Sequence, residues 1–573
     1  MNVRVLLRTS ALLVAVGLIA VGIFQPIEAE GRWLLFLWAA APLLGVAAWL
    51  TVPPTVPSLA RNVGNIGLVI LIGFALLSLQ LLRQQVLYAD TIYHHVAVAA
   101  DGSTTSNVRP VINSQRILRG RMFDRKGTLL ADRTSVQGFA HRTYPIAERY
   151  DPAIFGHVLG FFSTRYGQSG LESFYNTYLT GERGNELERL RERLVGGTPQ
   201  GNDLTLTLNA DLQAAASAAL GGRVGSVVVL DPRTGAILAL VSQPSFDPRG
   251  LTFNPAAASW EAENLRVSQY WQQLIADGSQ QPLVNRATQG LYPPGSTFKS
   301  LTAIAALEYA AEGQPDTITC PNTFLPQPDA PPIVNAVPNL AGLTGDPSDL
   351  ERVFAYSCNT AFAQYALRLG PERMSEIARR FDILPPQRGT TNYAGFRELP
   401  TAQSLLYVEP GFLNMPRALA DTGYGQGQLL VTPLHMALLT AAIGNEGVMM
   451  QPYLVQRITR PDGGQITSHV PRPIRRTMDT NTARIMVQHM GAVAAYGFGS
   501  SVDNFTPAGV TVGGKSGTAE HVPGARPHAW FIALAPLEAP RFAVAVMVES
   551  GGEGSSVGAE LAGRVLGAAF ATE

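Results

Sequence analysis

Hydrophobic and polar positions divide the chain into three regimes. Up to residue 82 charge nearly vanishes: uncharged stretches run over 9–27, 33–60 and 62–82, separated by short charged joints. Crossing the hydrocarbon of a bilayer takes about 20 mostly apolar residues, so transmembrane helices are predicted at about 9–27, 33–52 and 64–82. The first stretch, short and preceded by Arg4 and Arg8, also fits the apolar core of a signal peptide; the second, containing Pro42, also fits a re-entrant or interfacial piece. From 84 to 203 the pattern turns polar and arginine-rich. From 204 to 573, short alternating or wholly apolar runs lie at both ends of a long stretch with helical spacing.

The flanking charges give an orientation. Arg4 and Arg8 precede the first span, Glu28 and Glu30 follow it, and Arg61 separates the second from the third. By the bias of Lys and Arg toward the cytoplasm, the N-terminus and the second joint are inside and everything after the third span is outside. Arg32 and Arg83 fall on the predicted outer side.

In the middle region Arg119–Gly127 reads as a strand entering a turn, with Gly127 free to take a positive φ. Residues 151–162 read as an extended or short helical link, and apolar residues at helical spacing follow from Gly170. The mixed-charge run 186–193 reads as a solvated helix face. This is a small α+β module. In the last region 205–208 is a short strand and Asn209 starts a helix over 212–220. Residues 227–230, Asp231-Pro-Arg-Thr-Gly235 and 237–241 form a strand–turn–strand hairpin. Residues 510–514 make a strand leading into Lys515, 528–534 and 542–548 two more, and 556–570 a last apolar helix. One sheet assembled from both ends of the domain is predicted, with a helical second lobe over about 300–443.

A length of 573 residues suggests three or four units. Charged residues are 15% of the chain, and 43 basic residues balance 43 acidic ones. With no basic block, nothing points to nucleic acid. Two cysteines, Cys320 and Cys358, exclude a cysteine-rich metal site or disulfide scaffold. One Cys320–Cys358 bridge stays open, with Cys358 as a space-filling residue the favoured reading. His94-His95 has no third ligand nearby and reads as surface or packing.

Three of the 43 basic residues are lysine: Lys126, Lys299 and Lys515. Arginine keeps its proton in proteins, whereas a buried lysine shifts its pKa readily and can act as a base. Two of the three sit in Ser296-Thr297-Phe298-Lys299 and Lys515-Ser516-Gly517-Thr518. Between these lies Ser357-Cys358-Asn359, the sole Ser-x-Asn of the sequence. Pro293-Pro294-Gly295 stops any preceding helix, so Ser296 opens a new one with Lys299 on the same face. The helix N-terminus adds donors where negative charge develops, and a neutral Lys299 could take the serine proton. Ser357 offers a hydroxyl to relay a proton and Asn359 an amide for substrate backbone. Gly517 leaves room for substrate along a strand edge, where Ser516 or Thr518 can bind a carboxylate. This is the constellation of an acyl-serine enzyme.

With these motifs the chain resembles the class B penicillin-binding proteins, membrane-anchored D,D-transpeptidases of peptidoglycan synthesis. The resemblance extends from about Arg119 to the C-terminus. It also covers Arg119-Gly-Arg-Met-Phe-Asp-Arg-Lys-Gly, Gly170-Leu-Glu, Leu230-Asp-Pro-Arg-Thr-Gly, Asn285-Arg-Ala, Gly423-Tyr-Gly-Gln-Gly and Trp530-Phe. Residues 158–175 are similar to actinobacterial-type members of cell shape and division. After the transmembrane helices read from the apolar stretches (1–83), the resemblance implies a small α+β pedestal or dimerisation-like domain (84–203) and an α/β serine-β-lactamase-like transpeptidase domain (204–573) of antiparallel sheet plus helical lobe. It implies Ser296 as nucleophile, Lys299 as general base, and Ser357 and Asn359 as aids to protonation and positioning. Lys515, Ser516, Gly517 and Thr518 would bind the donor, and the backbone N–H groups of Ser296 and Thr518 would form an oxyanion hole. It implies no metal or organic cofactor. The implied ligands are peptidoglycan stem peptides and β-lactams, and the implied partner is a polytopic membrane glycosyltransferase. The family usually has one membrane segment, and three are predicted here.

Three rivals share the fold. A serine β-lactamase has a deacylating loop similar to Glu409-Pro-Gly-Phe-Leu-Asn414, though here with one residue too many before the asparagine. A membrane β-lactam sensor or an inactive scaffold of a division complex would account for anchoring without turnover.

Overall fold

The computed structural model describes residues 3–26, 29–53, 55–88, 115–184, 198–310, 317–386 and 392–573, with Thr91 and the short paired strands Val96–Val98 and Thr104–Ser106. His94-His95, Glu28 and the run 186–193 lie outside the described residues. The chain divides into two units, Met1–Ser114 and Gln115–Glu573.

In the first unit the apolar stretches are helices Val3–Ile23, Glu30–Thr51 and Ser58–Leu82. At 1.5 Å per residue each is long enough to cross a bilayer's hydrocarbon. Each begins before its apolar stretch does, because backbone hydrogen bonding continues past the hydrophobic window into its flanks. Glu30–Thr51 runs through Pro42 as one helix. One end of the group is tied by a polar knot. Buried Arg83 donates to the carbonyls of Ile23 (3.3 Å) and Gln25 (2.8 Å), and its guanidinium lies over the rings of Trp33 and Tyr88. Gln80 donates to Glu30 (3.1 Å) and accepts from the Trp33 indole. The Arg83 bonds satisfy the Ile23 carbonyl, which the C-terminal end of the first helix leaves open, and the Gln25 carbonyl just beyond it.

The second unit holds two main sheets. One is mixed and six-stranded, in the order Gln465–Ser468, Val455–Thr459, Asp203–Leu206, Met122–Phe123, Leu129–Val136, Phe139–Thr143. Met122–Phe123 runs parallel to Asp203–Leu206, and the other neighbours are antiparallel. Residues from the pedestal and from deep in the C-terminal region thus share one sheet. Behind it, Glu172 receives Arg119 Nε and Arg142 Nε, each at 2.7 Å, and all three side chains are almost fully buried.

The other sheet is antiparallel, in the order Ile237–Gln243, Gly225–Leu230, Phe542–Val548, His528–Ala535, Gly513–Ala519. It unites the two ends of the domain, as the alternation implied. The period of two sorts its side chains: Val227, Val229, Phe531 and Ala533 pack with helices Ala210–Leu220 and Ala559–Ala571. Val228, Leu230, Trp530 and Ile532 pack with the helical lobe. That lobe includes Lys299–Glu308, Asn359–Arg380 and Pro433–Gly444. The strand expected over 510–514 begins at Gly513 and carries Lys515 within it, on the sheet's edge.

Candidate active site

Ser296 sits in a single tight turn, Gly295–Phe298, that feeds helix Lys299–Glu308. Its position is over-determined. Tyr292 exchanges backbone bonds with Val431 (3.0 and 2.9 Å), Trp530 Nε1 donates to Pro293 O (3.0 Å), and Gly295 N donates to Gly425 O (3.0 Å). Gly295 has φ +53°, and a Cβ there would meet Thr518 O at 2.6 Å, so the serine turn lies directly on the edge strand. Gly517 is needed for the same approach: its Cβ would meet Pro294 O and Thr297 Cγ2, each at 2.8 Å. The room left by that glycine is filled by the protein's own turn.

The structure gathers both scarce lysines around one hydroxyl. Lys299 Nζ donates to Ser357 Oγ (3.1 Å), Ser357 O (2.6 Å) and Asn359 Oδ1 (2.7 Å). Lys515 Nζ donates to the same Ser357 Oγ (2.9 Å) and to Ser516 O (3.1 Å). Both lysines are fully buried, and their amines lie 5.6 Å from the ring centroids of Phe362 and Phe354 respectively. Among the described residues neither has a carboxylate partner. Burial therefore pushes the Lys299 amine well below the ordinary lysine value, and the charge of Lys515 pushes it further. Burial alone lowers Lys515 to about 7. Both effects favour the neutral amine of Lys299. A neutral amine has two N–H groups for its three acceptors, so one contact is released and a lone pair is freed three residues from Ser296. In this structure the three contacts go to Ser357 and Asn359 rather than to Ser296.

Ser357 has φ +56°, in the left-handed region that a residue with a Cβ occupies at a cost of roughly 1–2 kcal/mol. That conformation puts its carbonyl and hydroxyl on the same amine. Asn359 opens helix Asn359–Arg380 and also donates Nδ2 to Val334 O (2.9 Å). Thr518 Oγ1 accepts from Gly554 N (3.2 Å), so its own proton remains free for a substrate. Ser516 is 6% exposed. Glu409, the carboxylate of the lactamase-like loop, is exposed, and its backbone N–H donates to Gln428. No group of three or more His, Cys, Asp or Glu among the described residues could hold a metal.

The cysteines correct the sequence reading. Cys320 and Cys358 form a disulfide with Cα atoms 6.2 Å apart, inside the usual bridging range. Cys358 does not merely fill space: it is covalently joined across the protein interior, a contact that linear spacing does not reveal. Asn335 was also missed. It receives the Thr360 N–H (3.1 Å) and donates to Pro321 O (2.9 Å), beside the Asn359 helix start.

A serine on a rigid turn against a sheet edge, with two desolvated lysines sharing a second hydroxyl, defines the class of acyl-transferring serine enzymes. Residues 225–567 match the penicillin binding protein transpeptidase domain, and residues 119–204 the penicillin binding protein A dimerisation domain. The chain is 35% identical over 473 residues to the peptidoglycan D,D-transpeptidase PbpA of Mycolicibacterium smegmatis, covering 79% of this chain and 89% of that one. It is 28% identical over 477 residues to the peptidoglycan D,D-transpeptidase MrdA of Escherichia coli, covering 74% and 70%. Penicillin-binding protein A from M. tuberculosis, in its ceftriaxone acyl-enzyme complex, superposes with a TM-score of 0.70 at 32% identity. That match covers 80% of this chain and all of the other. The penicillin G acyl-enzyme complex gives 0.67 at 33%, covering 79% and 99%. The chain belongs to the class B penicillin-binding proteins.

Proposed function

We propose that this protein cross-links peptidoglycan by D,D-transpeptidation through an acyl-Ser296 intermediate. The observation that carries the residue roles is the Ser357 hydroxyl held between two desolvated lysine amines, at 3.1 and 2.9 Å, beside the Ser296 turn. Neutral Lys299 takes the Ser296 proton as Oγ attacks the D-Ala–D-Ala amide of a stem peptide. The proton passes by way of Ser357, bridged to Lys515, to the leaving amine of D-alanine. Backbone N–H groups of Ser296 and Thr518 face the developing oxyanion. Lys515, with the Ser516 and Thr518 hydroxyls, binds the donor's terminal carboxylate, and Gly517 keeps the strand against the serine turn. Asn359 retains one amide N–H for the substrate backbone. An amine on a neighbouring stem then takes the acyl group. β-Lactams acylate the same serine.

We also propose that residues after the third membrane helix lie outside the cytoplasm. The bias of flanking arginines supports this, and so does the buried disulfide, a bond that persists in oxidising compartments. The three-helix unit then offers its lipid-facing surface to a polytopic membrane glycosyltransferase that supplies the glycan strands.

The test is labelling with a fluorescent penicillin, run on the full-length protein in detergent beside Ser296→Ala. Durable labelling of the wild type, lost by roughly 10⁴-fold or more in the variant, is expected. Rapid release of the label would instead mark a β-lactamase. No labelling of folded protein would leave a scaffold.

A further inference from the structure

The disulfide passes through the middle residue of the Ser357–Asn359 triplet. Cys358 has the Lys299-bound serine on one side and the Lys299-bound asparagine on the other. Its partner belongs to a different piece of chain, residues 317–348, which wraps the start of the Asn359 helix. That piece is closed on itself by paired backbone bonds between Ile318 and Ser348, both 2.8 Å. It touches the helix start through Pro321 O, which receives Thr360 Oγ1 (2.8 Å), through Val334 O, which receives Asn359 Nδ2 (2.9 Å), and through Thr319 O, which receives Gln364 Nε2 (3.1 Å). All of these tethers are exchangeable with water except one, the Cys320–Cys358 bond.

The helix start needs such a fastening. Two residues before it stands Ser357 in the left-handed region, a conformation that persists where surroundings over-determine it. The residue preceding the helix is Cys358, which gives no side-chain cap; the orphan Thr360 N–H is received instead by Asn335 (3.1 Å), which lies on segment 317–348. The helix body, up to its break at Gly370 (φ +78°), is anchored separately, by Ala361, Phe362 and Ala366 in the core. Loss of the bridge therefore frees the triplet while leaving the helix packed.

Resting on the acyl-serine reading above, we propose that the Cys320–Cys358 bridge is a positioning element of the reaction. It pins segment 317–348 to the helix start so that Ser357 and Asn359 stay on the Lys299 amine. Without it Ser357 and Asn359 drift, the relay to Lys515 lengthens, and the acylation step slows while drug binding is kept.

The experiment uses full-length protein and compares wild type with Cys320→Ala and with the double variant Cys320→Ala/Cys358→Ala. Rates are normalised to the end-point of fluorescent-penicillin labelling, so inactive molecules do not enter. Expected is a roughly 10- to 100-fold lower first-order acylation constant, with half-saturation unchanged, and a shifted pH profile as Lys299 loses acceptors. A role confined to stability lowers the melting temperature but moves neither the acylation constant nor its pH profile. As a second arm, wild type is denatured, reduced and refolded with and without oxidant; the oxidised product is expected to regain the full rate and the reduced one to match Cys320→Ala. Wild-type rate and pH profile in either folded variant, or two alkylatable thiols in native wild type, would overturn the proposal. So would failure of every bridge-less form to fold, since the bridge would then serve stability alone. Absence of any label on wild type would strike the acyl-serine reading itself and is thus separable.

Discussion

In the pedestal Arg119 and Arg142 converge on one carboxylate, that of Glu172; in the cleft Lys299 and Lys515 converge on one hydroxyl, that of Ser357. Both pairs are buried, and both place two basic groups close together. The pedestal brings a counter-charge, and two planar guanidiniums that cannot be deprotonated share it. Burial alone would raise the Glu172 carboxyl, yet the flanking arginines more than offset that and hold it below its ordinary value. The cleft brings no counter-charge, and burial drives both amines toward neutrality. A paired buried charge is locked in one state, whereas an unpaired one is left free to change state near neutral pH.

The contrast is broken most directly by Lys299→Arg, which keeps a cation but removes the lone pair. Acylation is expected to fall by about 10²–10⁴-fold, measured by stopped-flow labelling; retention within a few-fold would mean that a neutral amine is not required. In the wild type, acylation should rise with pH as Lys299 deprotonates, and stability should carry the imprint of Lys515. With a folded value of about 7 against 10.5 unfolded, its burial weakens the fold fully below about pH 7, and stability grows as pH rises from there toward 10.5. Melting curves across that window check the sign.

Next in size is Glu172→Gln, which leaves two buried guanidiniums without their carboxylate and should cost about 3–5 kcal/mol in chemical denaturation. The acylation constant of the folded enzyme is expected to be unchanged. The Glu172 contribution is present above about 4.5 and fades as pH falls through the lower folded value, so the variant should lose part of the acid dependence of stability. Smallest is Lys126→Arg. Lys126 is exposed and donates to the Thr572 carbonyl. Arginine there should change neither activity nor stability beyond about 0.5 kcal/mol, as expected for a lysine retained at no chemical cost.

Much of the site was legible because lysine is so rare in this chain. Lys299 and Lys515 stand out by residue type, Ser296 by its spacing to Lys299, and Ser357 with Asn359 as the sole Ser-x-Asn, and the structure brings their elements together. The sheet built from both ends of the domain was legible too, since alternation over 227–241 and 528–548 is strong. What stayed hidden depends on approach through space. The Cys320–Cys358 bond and the Asn335 contacts join segments whose separation carries no signal. The left-handed Ser357 is a serine where the usual cue would be glycine. Arg119 and Glu172 both lay within quoted motifs, but their meeting with Arg142 is a property of the folded pedestal.

The six-stranded sheet has a consequence for how the chain comes to be made. Strand Asp203–Leu206 pairs on one side with Met122–Phe123, which leaves the ribosome before it, and on the other with Val455–Thr459. At about 5–20 residues per second of synthesis, the second side waits roughly 12–50 seconds for its neighbour. During that interval a hydrogen-bonding edge is open to any passing strand. The pedestal therefore cannot be finished as an early, independent product: its last seam closes only after most of the catalytic region has emerged, and a nascent chain halted before residue 455 carries an exposed, adhesive border.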